Sequence, residues 1–250
     1  MKKVIFTLLL SFLVQGLFAW AYVDEIVKSK VDLYFCNSEA EALETINNLS
    51  DKVQEINDEQ EKLICQNLLL VEKINFTDTK DNTELKKLFF IEMNDLSQKN
   101  QKYIEENKNI DKWLFVSYSD LLVRLMSYQS SKEMYKTSME TKNNYQKALK
   151  IDSKFAYAYN SYALWLYFAP SIAGGGLDAA YKNFSKAIKY ADNKNELYFF
   201  YINRSQILFK MKKNKEYEKD LLAAHELFPD ETFTKTLREK NQNEKILFDS

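Results

Sequence analysis

Apolar residues recur three or four positions apart along most of the chain, the period of helices that bury one face. This spacing predicts helices over Leu63 to Ile74, Leu85 to Ile104, Trp113 to Tyr128 and Met134 to Ile151. Polar stretches such as Thr77 to Asn82 and Asn107 to Asp111 separate them. Ser38 followed by Glu41 forms a capping box that opens a further helix carrying Ala42, Leu43 and Ile46. Four Gly and two Pro are too few turn residues for a many-stranded sheet. The pattern therefore predicts an all-α array of antiparallel helix pairs, and no Pro-, Gly- or Ser-rich linker divides it.

The first stretch departs from this period. Lys2 and Lys3 precede an apolar run from Val4 to Val14, and Ala19-Trp20-Ala21 supplies the small residues that a signal peptidase needs. Residues 1–21 are expected to be a signal peptide, with the mature chain starting at Tyr22 in the periplasm or outside the cell. The competing reading is an uncleaved membrane anchor over Val4 to Ala21, interrupted by Thr7, Ser11 and Gln15. A lipid anchor is not expected, because Cys36 lies far beyond the apolar run and follows Phe35.

Export raises the question of Cys36 and Cys65, since disulfides persist in oxidising compartments. A reversal near Asn47 to Asp51 would make an antiparallel hairpin that sets the two cysteines level and able to bridge. One long helix is the alternative, because Ile46, Leu49, Val53 and Ile56 keep their spacing through that turn; the thiols would then stay apart. Two Cys and one His cannot build a four-ligand zinc site of the usual kind, so no metal is expected.

Repetition is clearest in the second half. Tyr145 and Ala148 in Asn144 to Asp152, then Phe155 to Ala163, resemble the second helix of one tetratricopeptide (TPR) repeat and the first helix of the next. Ala180, Phe184 and Ala187 keep a small, aromatic, small spacing, and Tyr217, Leu221 and Ala224 keep its register before Pro229. Ala148 and Ala187 are 39 residues apart and Ala187 and Ala224 are 37 apart, near the period of that family. The resemblance covers Tyr135 to Pro229 and implies a right-handed α-solenoid of stacked antiparallel pairs. Residues 22–130 are expected to be helical and to include degenerate repeats, residues 131–229 to be TPR-like, and residues 230–250 to form a capping helix and tail.

Repeat geometry in this family puts first helices on the concave side. There Tyr157, Asn160, Leu164 and Tyr167 share one stripe, and Phe199, Asn203 and Gln206 the next, so the resemblance implies a protein or peptide partner along them. Tyr159, Tyr162, Trp165 and Phe200 are expected in the core. Arg204 could receive a carboxylate from a ligand or from a neighbouring side chain. Between the helices of the middle repeat stands Ala169-Pro170-Ser171-Ile172-Ala173-Gly174-Gly175-Gly176, longer than the family's tight turn. It is either a loosened connection or a partner-binding loop around Pro170, Ile172, Gly174, Gly175 and Gly176. An aromatic segment followed by Pro-x-x-x-Gly-Gly is also similar to the T component associated with certain bacterial TRAP transporters. That resemblance implies a transporter substrate-binding subunit as partner, or a small hydrophobic ligand carried inside.

Charge and candidate chemistry narrow the function. The 35 basic and 36 acidic residues are interspersed, which leaves no basic track for nucleic acid. His225 is the sole histidine and has no evident Ser, Cys or Asp companion, and Gly174-Gly175-Gly176 lacks the Lys-Ser/Thr of a phosphate loop. No catalytic residue and no cofactor is expected.

Overall fold

The computed structural model describes residues 20–36, 38–77 and 82–249. The apolar run of the expected signal and Ala19 lie outside the described residues; Trp20 and Ala21 lie within them. The described chain forms eleven α-helices: α1 (Ala21–Phe35), α2 (Glu39–Gln54), α3 (Glu59–Phe76), α4 (Thr83–Glu106), α5 (Lys112–Met126), α6 (Ser131–Ile151), α7 (Ala156–Phe168), α8 (Leu177–Tyr190), α9 (Lys194–Lys210), α10 (Asn214–Leu227) and α11 (Phe233–Gln242). Among the described residues none is long and apolar enough to cross a membrane.

Short polar side chains begin five of these helices by satisfying free backbone donors. Ser38, Asp58, Asn82, Asp111 and Asn193 accept from Glu41, Glu61, Leu85, Trp113 and Glu196 N–H groups at 2.8–3.2 Å. Each such cap stabilises its helix by about 1 kcal/mol. The Asp58 cap also corrects the expected reversal at Asn47 to Asp51. The helix runs through that segment to Gln54, and the chain turns only after Ile46, Leu49, Val53 and Ile56 have all been buried.

Antiparallel pairs α3/α4, α5/α6, α7/α8 and α9/α10 follow one another, and α3, α5, α7 and α9 pack in succession along one side. The repeat positions explain why. Ala148, Ala163, Ala180, Ala187 and Ala224 are fully buried, which lets neighbouring helices approach closely, and Tyr145, Phe184 and Tyr217 fill the grooves beside them. In the first half a buried amide exchange sets the register. Asn67 and Asn100 donate to each other at 2.9 and 2.8 Å, and Asn67 also donates to Ser117, tying α3, α4 and α5 together.

Helix α1 breaks the neighbour-only rule of a solenoid. Along α3, Tyr22 N donates to Glu61 (3.1 Å), Lys30 pairs with Glu72 (2.6 Å) and the Tyr34 ring meets Phe76 (5.0 Å), so the two helices run parallel. On its other side Asn195 donates to the Lys28 carbonyl, and Tyr34 and Phe35 meet Phe199 and Tyr198 of α9. Val23, Ile26, Val31 and Leu33 of α1 are buried. The same geometry corrects the expected Cys36–Cys65 bridge: both are free thiols. Cys65 is level with the first turns of α1, whereas Cys36 follows its last residue. A separation of eleven residues along a helix is about 16 Å, far beyond disulfide reach.

Candidate functional site

The sequence-derived stripe lies on α7 and α9, but α1 and the segment after α11 cover it. Tyr157, Asn160, Phe199, Asn203 and Gln206 are buried, and Leu164 and Tyr167 are half-buried. Asn203 donates to Asn160 at 2.9 Å, so each amide is partly used by the other. Phe199 lies under Tyr34 and the Lys30 ammonium, both from α1. At the opposite end Gln206 Oε1 accepts from Asn241 and from the Leu247 N–H, and Phe248 packs against Tyr167 and Phe184. Tyr159, Trp165 and Phe200 are core residues, while Tyr162 is half-buried. Arg204 is taken by Asp220 through two 2.7 Å bonds.

Sequence reasoning missed α1 as the cover. Val23, Ile26 and Val31 sit close to helical spacing, and Tyr34 falls one turn after Lys30, so an amphipathic helix was legible after the expected cleavage site. Its destination was not.

Around α1 lies a set of ionisable groups held on six helices. Burial works against the Lys30 ammonium, yet the Glu72 carboxylate together with the Tyr157 and Tyr34 phenols holds the ammonium above its ordinary value. Asp120 on α5 accepts from Tyr145 OH (2.7 Å) and Ser161 Oγ (3.0 Å), and burial still pushes its carboxyl up to about 6. Burial raises the Tyr157 phenol, and the Asp120 and Glu72 charges add to the shift. Tyr34 is pushed up to about 12, mainly by burial. Near the start of α9, burial and the Asp192 charge raise Glu196 to about 7.

The loop after α7 is ordered by its own backbone. Gly176 N donates to Leu166 O (2.8 Å), Gly175 N to Pro170 O (3.2 Å), and Lys142 reaches from α6 to the Ala173 carbonyl (2.9 Å). Gly174 takes a φ of +88°, and a Cβ on Gly175 would stand 2.0 Å from the Ala169 oxygen, so glycine is required there. The held loop displays Ile172, 96% exposed, and the last residue of α7 before it, Phe168, is 62% exposed.

His225 Nδ1 lies 3.3 Å from Glu231, which also accepts from the Thr234 N–H and Tyr198 OH; this group joins α10 to α11. Among the described residues no three His, Cys, Asp or Glu side chains gather as metal ligands.

No protein-family model matches the chain, and no curated protein matches it. Among solved structures it is similar to a thermophilic TPR protein of Thermus thermophilus, TTC0263. The two share 12% identity at a TM-score of 0.56, over 85% of this chain and 95% of that one. The chain thus has a TPR-like fold, an all-α helical-repeat solenoid. The likeness says nothing of a transporter.

Proposed function

We propose that this chain is an exported, non-catalytic scaffold that holds a protein partner through the glycine loop after α7. The observation that carries the reading is the near-complete exposure of Ile172, four residues after the exposed Phe168, on a loop that hydrogen bonds hold in one shape. A fixed apolar projection loses little conformational entropy on docking, and large apolar side chains at the centre of a contact supply most of its energy. The TPR-like architecture supports the same conclusion, since folds of this kind generally mediate protein–protein contacts. The concave residues serve inside the molecule, holding α1 and the tail in place.

A photo-crosslinking residue at position 172, in cells that make the protein, tests this. One discrete adduct is expected, absent when the crosslinker sits at Lys136 and lost on Phe168→Ser. Adducts at 172 no different from those at 136 would overturn it.

A further inference from the structure

A groove of about 760 Å³ opens beside the glycine loop. Tyr162 and Leu166 of α7 and Ala179 of α8 give it apolar surface, Gly174 and Gly175 of the loop border it, and Lys182 and Lys186 stand exposed along its α8 side. Its walls are held in place. Gln146 on α6 hydrogen-bonds the Tyr162 side chain, whose ring lies 5.7 Å from that of Tyr145 and 5.8 Å from that of Trp165. The bonds from Gly176 N and Lys142 fix the loop beside it.

Charge around this groove departs from the near balance of the whole chain. Residues 131–190, which span α6, α7, the loop and α8, carry nine Lys and no Arg against four acidic residues. Three of the four acids are occupied within the fold: Glu133 accepts from Ser130, Glu140 from Tyr118 and Asp152 from Lys112. The fourth, Asp178, borders the groove in the first turn of α8, where the free helix amides favour a carboxylate. None of the nine lysines forms an ion pair among the described residues, Lys182 included, although Asp178 stands one turn before it. Lys186 lies over the Tyr159 ring at 5.0 Å. An apolar floor beside unmatched positive charge complements an occupant that carries carboxylates next to an apolar group.

We propose that this groove receives an extended acidic segment of the protein partner that the Ile172 loop engages, an assignment that rests on that reading of the loop. Lys182 and Lys186, four residues apart, are separated by about 6 Å along the helix, close to the roughly 7 Å between alternate side chains of an extended chain. Two carboxylates on either side of one apolar residue, as in Glu-Leu-Glu, therefore reach both lysines while the apolar side chain turns to Tyr162 and Leu166. A lipid surface would meet protruding residues rather than a groove, and a phosphate backbone would leave the apolar floor uncovered.

Two measurements test this. In the first, a fluorescent Gly-Ser-Glu-Leu-Glu-Gly-Ser peptide is titrated with the full chain and read by anisotropy, beside the same peptide with Lys in place of Glu, a single-stranded oligonucleotide and phosphatidylglycerol vesicles. The acidic peptide is expected to bind, less tightly as salt rises, and about tenfold or more weaker to Lys182→Glu/Lys186→Glu. Lys235→Glu/Lys240→Glu, the same charge change on the exposed side of α11, should leave binding unchanged, and circular dichroism checks the fold of both variants. In the second, the crosslinker at position 172 is combined with each pair of reversals; its discrete adduct should fall about tenfold in the first pair and persist in the second. Failure of the acidic peptide to bind, equal binding of the Lys peptide, or tighter binding of the oligonucleotide or the vesicles would overturn the groove assignment. So would an adduct at 172 that persists in Lys182→Glu/Lys186→Glu, which leaves the loop reading intact. Absence of any discrete adduct in the parent chain overturns the loop reading instead, and the groove's partner with it.

Discussion

Asp120 and Glu196 have folded-state pKa values of about 6 and about 7, above the 3.8 and 4.5 ordinary for their types. Between those limits the unfolded chain gives up its protons first, so the native state binds more protons and stability falls as pH rises through the folded values. Asp120→Asn and Glu196→Gln remove that loss. Each should raise stability at pH 8 by about 2–3 kcal/mol relative to its effect at pH 4, measured by urea unfolding at the two values. Gly175 gives the opposite kind of residue effect. Gly175→Ala sets a methyl against the Ala169 backbone and should cost about 2 kcal/mol or more, read from the thermal midpoint. Gly174→Ala meets open space and carries only the left-handed strain of about 1–2 kcal/mol. The sequence indicated that this loop was special from its three glycines, but not which glycine is enforced by contact, because that depends on where Ala169 comes to rest.

Among the elements, α1 is the one whose role most exceeds its pattern. Its hold on α3 rests partly on the Lys30–Glu72 pair, and removing one member leaves the other charge buried without a partner. Lys30→Met should therefore cost about 2–3 kcal/mol and Glu72→Met a similar amount. The double variant should be less damaging than their sum, a coupling that a double-mutant cycle in urea would measure. The proposed cleavage after Ala21 would make Tyr22 N an ammonium 3.1 Å from the Glu61 carboxylate, gaining a charge-assisted bond at the start of α1. Glu61→Gln should then lower the thermal midpoint of the processed chain more than that of the unprocessed one. Helix α2 shows how element boundaries escape a periodicity argument. Its apolar stripe continues to Ile56 past the helix end at Gln54, because a buried face says nothing of where the backbone turns; the Asp58 cap decides that.

At the scale of the whole molecule, α1 links α3 to α9, repeats that a simple solenoid would leave independent. The ends should consequently unfold together. Val31→Asp, which puts a charge into that contact, should speed amide exchange in α9 to α11 by about tenfold or more while α5 and α6 change less. The sequence by itself determined the helical class, the start of α2 at the Ser38 cap and the small and aromatic positions from Tyr145 to Ala224, because those follow from local period, capping and side-chain size. The stripe it assigned to Tyr157 through Gln206 lies on α7 and α9, where Asn203 donates to Asn160. Only the tertiary structure decided what lies on that stripe, where Cys36 stands relative to Cys65, and which charges pair inside the fold. Periodicity records that a helix face must be covered but not by what, and the cover here comes from a contact between Lys28 and Asn195, 167 residues apart in the chain.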